Sequence, residues 1–148
     1  MVYKSFINQA AFYSKKGLKK PMETEYETGF GWMRIGDKTY RDDVVLVDLG
    51  DGNIRVKERD KSHSEIKYGT SHIVDYNEVS RYLDPWKDIG IEQIIIGTGQ
   101  YGRLELDPTA RDKLVRRGIE VIELETPRAI RFWERSRKKK LGIFHVTC

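Results

Sequence analysis

Cysteine is all but absent from this chain of 148 residues: the one present, Cys148, is the last. An intrachain disulfide and a cysteine-based zinc site are both excluded. Such usage fits a reducing compartment. Histidine is scarce too. His63, His72 and His145 stand far apart, with no His-x-x-x-His or His-Glu-x-x-His spacing, so no metal site is expected. Long apolar runs are missing. Stretches such as Val44–Val47 and Ile94–Ile96 are only a few residues long, whereas a membrane-spanning helix needs ~20. No membrane span is expected. There is no Gly-x-Ser-x-Gly and no internal cysteine, so no nucleophile triad is legible. The 23 carboxylates make any chosen acid–base pair arbitrary.

What is present describes a globular domain. At this length one domain is the default, and about two-thirds of the unfolded chain's surface can be buried. Charge is unevenly spread. Residues 1–22 carry five lysines and no acid, residues 23–127 carry 15 basic and 22 acidic side chains, and residues 128–148 carry seven basic and one acidic. An acidic body with basic ends can meet a polyanion or a membrane surface. The plainer reading lays the basic ends on the body or leaves them solvated.

Residues 1–21 read as a basic N-terminal arm or extension, and residues 22–148 as a single α/β domain. The arm lacks the apolar core of a secretory signal. Its shortage of acid suits a mitochondrial presequence, but it has no arginine. A cytoplasmic location is the expectation, with a mitochondrial one as the alternative if residues 1–21 are a presequence.

From Phe30 onward the chain reads as strands. Trp32–Ile35 and Lys38–Tyr40 flank the turn signal Gly36-Asp37, and Asp43–Val47 and Ile54–Lys57 flank Asp51-Gly52-Asn53. Residues 58–74 look irregular, with His63 and His72 as candidate bases or ordinary surface histidines. Asp75-Tyr76-Asn77-Glu78 has the pattern of a capping box, and Asp84-Pro85 stops the helix that it opens. The last third then alternates: strand 92–96, helix from Asp107-Pro108 to Arg117, strand 119–124, helix from Thr126-Pro127 to about Lys139, and strand 143–146. This is a βαβαβ unit. It predicts a three-layer α/β domain with a mixed central sheet and N-terminal antiparallel hairpins.

The most informative stretch is Glu92–Gly102. An isoleucine-rich run suits a strand buried on both faces, and its C-terminal end breaks into Gly97-Thr98-Gly99-Gln100-Tyr101-Gly102. Ligands of open α/β sheets bind at such ends. The Gly-x-Gly-x-x-Gly spacing matches the dinucleotide fingerprint literally. In that fingerprint, however, the helix opens at the loop, and here Arg103–Leu106 intervene, so no nicotinamide, flavin or other cofactor is expected. A second element, Glu125-Thr126-Pro127-Arg128, follows the neighbouring strand and faces the same edge. Free amides at a helix start attract anions, and Arg128 adds fixed charge. Gly97, Thr98, Gly99, Gln100, Gly102, Thr126 and Arg128 therefore form a candidate crevice for a small phosphate or carboxylate. The alternative is that Thr126 caps its own helix and the glycines only turn the chain.

The final helix carries a basic stripe. Arg128, Arg131, Arg135 and Lys138 follow helical spacing, with Lys139 beside them. A solvated or intramolecular role is favoured, a protein partner or self-association comes next, and nucleic acid third, because aromatic interleaving is thin.

The run Ile94-Ile95-Ile96-Gly97-Thr98-Gly99, a helix, Arg117-Gly118-Ile119-Glu120-Val121 and a helix led by Thr126 resembles the small Mth-like domain family. Phe30-Gly31 and the strand at Asp43–Val47 fit as well. The likeness covers about residues 24–148. That family includes the mitochondrial complex I assembly factor three and the adipogenesis-associated Mth-like domain protein. The resemblance implies a compact three-layer α/β domain without established enzymatic activity, acting in assembly or interaction. The chain departs from the family in two places. Phe132 is followed by Trp133 where an aromatic–Asn pair is frequent, and Arg137–Lys140 is unusually basic. The expected function is a non-enzymatic binding or assembly module. The alternative is an enzyme or sensor for a small anionic metabolite.

Overall fold

Alternation of side chains along three short strands decides how this protein is layered. The computed structural model describes residues 24–148, so the basic arm of residues 1–21 lies outside the described residues. Strands β4 (Val44–Asp48), β5 (Ile54–Glu58), β7 (Gln93–Gly97), β9 (Glu120–Leu124) and β10 (Lys140–Phe144) form a five-stranded sheet in the order β5-β4-β10-β7-β9. The central strand β10 runs antiparallel to β4 and parallel to β7, and β7 runs parallel to β9. The sheet is mixed, as the sequence predicts.

Successive residues of a strand point to opposite faces. Val45, Val47, Ile94, Ile96, Leu141 and Ile143 point to one face and meet helices α2 (Tyr76–Leu83) and α3 (Pro108–Arg116). Val44, Leu46, Ile95 and Phe144 point to the other. There they meet helix α4 (Thr126–Arg135) and a second sheet made of β1 (Tyr26–Gly29), β2 (Trp32–Ile35) and β3 (Lys38–Tyr40). Helix α3 leads from β7 to β9. Helix α4 leads from β9 back past β7 to β10, which puts the two helices on opposite faces. Gly142 makes room on the α4 face. A Cβ there would stand 2.4 Å from the Phe144 ring and 3.0 Å from that of Trp133, whose rings meet edge-on at 5.8 Å.

Several expectations needed correction. Tyr26–Gly29, ahead of the first expected strand, pairs with β2 and doubles the hairpin. Helix α1 (Ser62–Tyr68) lies inside the stretch read as irregular, and Gly69 ends it at φ +74°. Its sequence has almost no apolar face: Ile66 is 86% exposed, so no periodicity announced it. Strand β6 (Ile73–Val74) pairs in parallel with β8 (Glu105–Leu106), which occupies the segment between the glycine loop and α3. Helix α4 ends at Arg135, before Lys138 and Lys139, because Ser136 turns to extended backbone. The Lys140 amine then donates to the carbonyls of Trp133 and Ser136, and β10 begins there rather than at Ile143.

Candidate functional site

Strands β7, β9 and β10 all finish at one edge of the large sheet, and Thr126 ties the three ends together. Its hydroxyl donates to the His145 carbonyl at 2.6 Å and accepts the Gly99 amide at 2.9 Å. Its own amide donates to the Gly99 carbonyl at 3.0 Å. Thr126 is fully buried and makes no cap to its own helix. The helix-cap alternative for this residue therefore gives way to a cross-strand tie. Gly97 lets the hydroxyl in, since a Cβ there would lie 2.9 Å from the Thr126 oxygen and 2.8 Å from Phe144.

The loop brings Gly97, Thr98, Gly99, Gln100 and Gly102 to the same edge, as expected, but the chain itself supplies what their neighbouring amides bind. The Gln100 amide donates to the Thr147 carbonyl at 2.7 Å, and the Tyr101 and Arg103 amides both donate to the Cys148 carbonyl at 3.0 Å. Gly99 has φ +106°, and a Cβ there would lie 2.3 Å from the Cys148 carbonyl carbon. The glycine is needed for close approach, and the approaching group is the segment after β10. A carboxylate also stands at the mouth: Glu125 Oε2 lies 3.4 Å from where a Gly102 Cβ would be. Arg128 is exposed in the first turn of α4.

Under this edge lies a buried charged network that no spacing in the sequence announced. Arg59 donates from Nε to Glu78 Oε2 at 2.7 Å, from Nη2 to Glu78 Oε1 at 3.2 Å and from Nη1 to Asp43 Oδ2 at 3.1 Å. The Tyr82 hydroxyl donates to Glu78 at 2.7 Å. Asp43 Oδ2 lies 2.9 Å from His145 Nδ1, and Asp43 Oδ1 accepts the Val146 amide at 3.0 Å. His145 Nε2 is 3.2 Å from the Thr147 hydroxyl, and the His72 ring meets the His145 ring edge-on at 5.0 Å. Arg59, Asp43, Glu78 and His145 are all buried. Burial alone would raise the Asp43 carboxyl. Its bond and electrostatic attraction to His145, the Val146 amide and Arg59 outweigh that and hold it below the ordinary range. Burial would lower the Arg59 pKa, but Glu78 and Asp43 raise it. Burial, helped by the nearby His145, lowers His72. Partners 16, 19 and 102 residues apart leave no local pattern. The one visible trace was Asp75-x-x-Glu78. Asp75 does cap α2 through the Glu78 amide, but the Glu78 side chain serves Arg59 instead of closing a capping box. His63, the other candidate base, is tied to Asp75 at 2.8 Å.

The basic stripe is divided between helix and turn. Arg128, Arg131 and Arg135 lie on α4, whereas Lys138 and Lys139 fall in the turn beyond it. Arg131 is bonded to Glu134 at 2.6 Å, and Lys138 to Glu120 at 2.7 Å. Arg135 is exposed, and the Lys139 amide donates to Glu92 at 2.9 Å. Near the glycine loop, Phe30 and Tyr101 form an exposed aromatic pair, with ring centroids 6.1 Å apart and exposures of 58% and 70%.

Comparison with known proteins agrees with this architecture. The family model described as "Protein of unknown function (DUF498/DUF598)" matches residues 25–140, and the chain belongs to that family. Among solved structures, it is similar to the conserved hypothetical protein PH1505 from Pyrococcus horikoshii OT3. The identity is 37% and the TM-score 0.72, over 85% of this chain and 99% of that one. It is similar also to a protein named MT938, at 30% identity and TM-score 0.65, over 85% of this chain and 100% of that one. An outer membrane protein from Bartonella henselae shares the fold, at 18% identity and TM-score 0.57, over 88% of this chain and 97% of that one. No curated protein matches the sequence.

Proposed function

We propose that this member of a family of unknown function is a non-enzymatic binding or assembly module, with a protein or a second copy of the chain as its partner. One observation carries the reading: the amides of Gln100, Tyr101 and Arg103 are already bonded to the carbonyls of Thr147 and Cys148. A loop whose donors serve the chain's own backbone works as a clasp. What the clasp presents outward is the Phe30–Tyr101 pair. Exposed aromatics are the residue types that anchor protein interfaces, since they bury large area at small entropic cost. The likeness to the Mth-like domain family, whose members with an assigned role act in assembly, supports the same reading. A cytoplasmic setting fits the single cysteine. A nucleic-acid role ranks third, because Arg131 and Lys138 of the basic stripe are engaged by Glu134 and Glu120.

The alternative is a sensor or enzyme for a small anion held between the glycine loop and the start of α4. The exposed side chains of Arg103 and Arg128 favour it; the carboxylate of Glu125 opposes it. Thermal unfolding against phosphate-bearing metabolites, nucleotides and carboxylates separates the two. A ligand at ~100 times its Kd adds about 2.7 kcal/mol, which is several degrees for a domain of this size. A flat panel is expected. A shift that disappears in Arg128→Ala would overturn the assembly reading in favour of the anion site.

A further inference from the structure

The opposite end of the sheet, where β4 finishes and β10 begins, holds a pocket of about 440 Å³. This is within the range of small-molecule sites. Its wall includes Tyr26, Asp48, Ile54, Trp133, Ser136 and Lys140. Lys140 stands in register with Asp48 across the β10–β4 pair, yet its side chain is only 4% exposed. Lysine is almost never so buried without a charged partner, and the Asp48 carboxylate stands 4.0 Å away. The amine instead donates to the carbonyls of Ser136, at 2.7 Å, and Trp133, and lies 4.5 Å from the centre of the Trp133 ring.

We propose that this pocket is a covalent binding site for a small aldehyde or ketone, with Lys140 Nζ as the nucleophile and the Tyr26 phenol as a positioning donor. A neutral amine has two N–H groups and one lone pair. Two of the amine's positions point to the two carbonyls, and loss of a proton from the third leaves a lone pair clear of them. Burial lowers the Lys140 pKa from its ordinary value, against the opposing charges of Asp48 and Glu134; a desolvated lysine of this kind is the nucleophile of Schiff-base chemistry. Tyr26 reaches the same tryptophan. Its hydroxyl accepts the Trp133 Nε1–H at 2.9 Å, which leaves the phenolic proton to donate. Burial raises its pKa well above the ordinary tyrosine value, so the proton stays on.

In the step itself the Nζ lone pair attacks the carbonyl carbon. The carbonyl oxygen gains a proton released from nitrogen, giving a carbinolamine whose hydroxyl the Tyr26 phenol can hold. The remaining N–H proton then passes to that hydroxyl, the carbon–oxygen bond breaks, the oxygen leaves as water, and the nitrogen lone pair forms the carbon–nitrogen double bond. Amine and carbonyl thus give imine and water, with no redox partner required.

The test uses the full chain with propanal at pH 7 and cyanoborohydride to trap the imine as an N-propyl group, followed by peptide mass spectrometry over time. Lys140 is expected to be labelled at least ten-fold faster than Lys57 and Lys113, which are exposed. Because each lysine is read separately in the wild-type protein, the result does not depend on whether a Lys140 variant folds. Labelling of Lys140 no faster than Lys57 would overturn the proposal and leave Lys140 as the C-terminal cap of α4. Tyr26→Phe is expected to slow labelling at Lys140 several-fold and leave Lys57 and Lys113 unchanged. An unchanged rate at Lys140 would remove Tyr26 from the site. This outcome is independent of the assembly reading, which concerns the other end of the sheet.

Discussion

Where β7, β9 and β10 finish, the chain fills its own crevice. Three loop amides and the Thr126 hydroxyl are spent on backbone carbonyls, and a network of Arg59, Asp43, Glu78 and His145 is sealed beneath them. Where β4 finishes and β10 begins, about 440 Å³ stays open beside a buried lysine. The first end carries the glycine-rich motif that marks a ligand site in other α/β sheets, and the second carries no motif. Glycines at a strand end report that something approaches the backbone closely. They do not report whether that group is a ligand or another part of the same chain.

The contrast predicts that substitutions at the clasped end disturb folding strongly and those at the open rim hardly at all. The largest effect is expected for Arg59→Met, which leaves the carboxylates of Glu78 and Asp43 buried without their cation. Removing one partner of a buried ion pair costs about 3–5 kcal/mol. Urea denaturation would measure it, and a loss below about 1 kcal/mol would mean that water reaches the network and the end is not sealed. Gly99→Ala comes next. It forces a side chain into a left-handed backbone conformation and against Cys148, so a loss of about 2–4 kcal/mol is expected. A near-neutral result in the same assay would show that the segment after β10 lifts off easily, which would reopen the crevice to a ligand. The smallest effect is expected for Arg137→Ala at the pocket rim. Arg137 is exposed, and stability should stay within about 0.5 kcal/mol of wild type. A larger loss would show that the rim supports the fold and is not free to serve a ligand.

Much of the fold was legible in sequence. Both turn-linked hairpins, Trp32–Tyr40 and Val44–Glu58, follow from alternation interrupted by Gly36-Asp37 and Asp51-Gly52-Asn53. The positions of α3 and α4 follow from Asp107-Pro108 and Thr126-Pro127. The candidate site was legible only in part. Gly97, Gly99 and Thr126 do meet, but Thr126 has the strand ends as partners and does not cap its helix. Helix α1 was missed because a mostly exposed helix has no apolar stripe to betray it. The lysines after Arg135 are good helix formers and extend the expected α4 too far, whereas Ser136 turns to extended backbone and Lys140, reaching back from the next strand, donates to the last carbonyls.

Local chemistry by itself determined the strands of the large sheet, the starts of α2, α3 and α4 and the apolar faces of these elements, because these depend on neighbours two to four residues away. Only the tertiary structure decided that β10 is the central strand, that the segment after it closes the glycine loop, and that Arg59 finds Asp43 and Glu78. It alone also decided that Lys140 is buried beside an open pocket. Each of these depends on groups brought together from distant parts of the chain. A close approach between distant residues is set by sheet order and register, which no window of sequence contains.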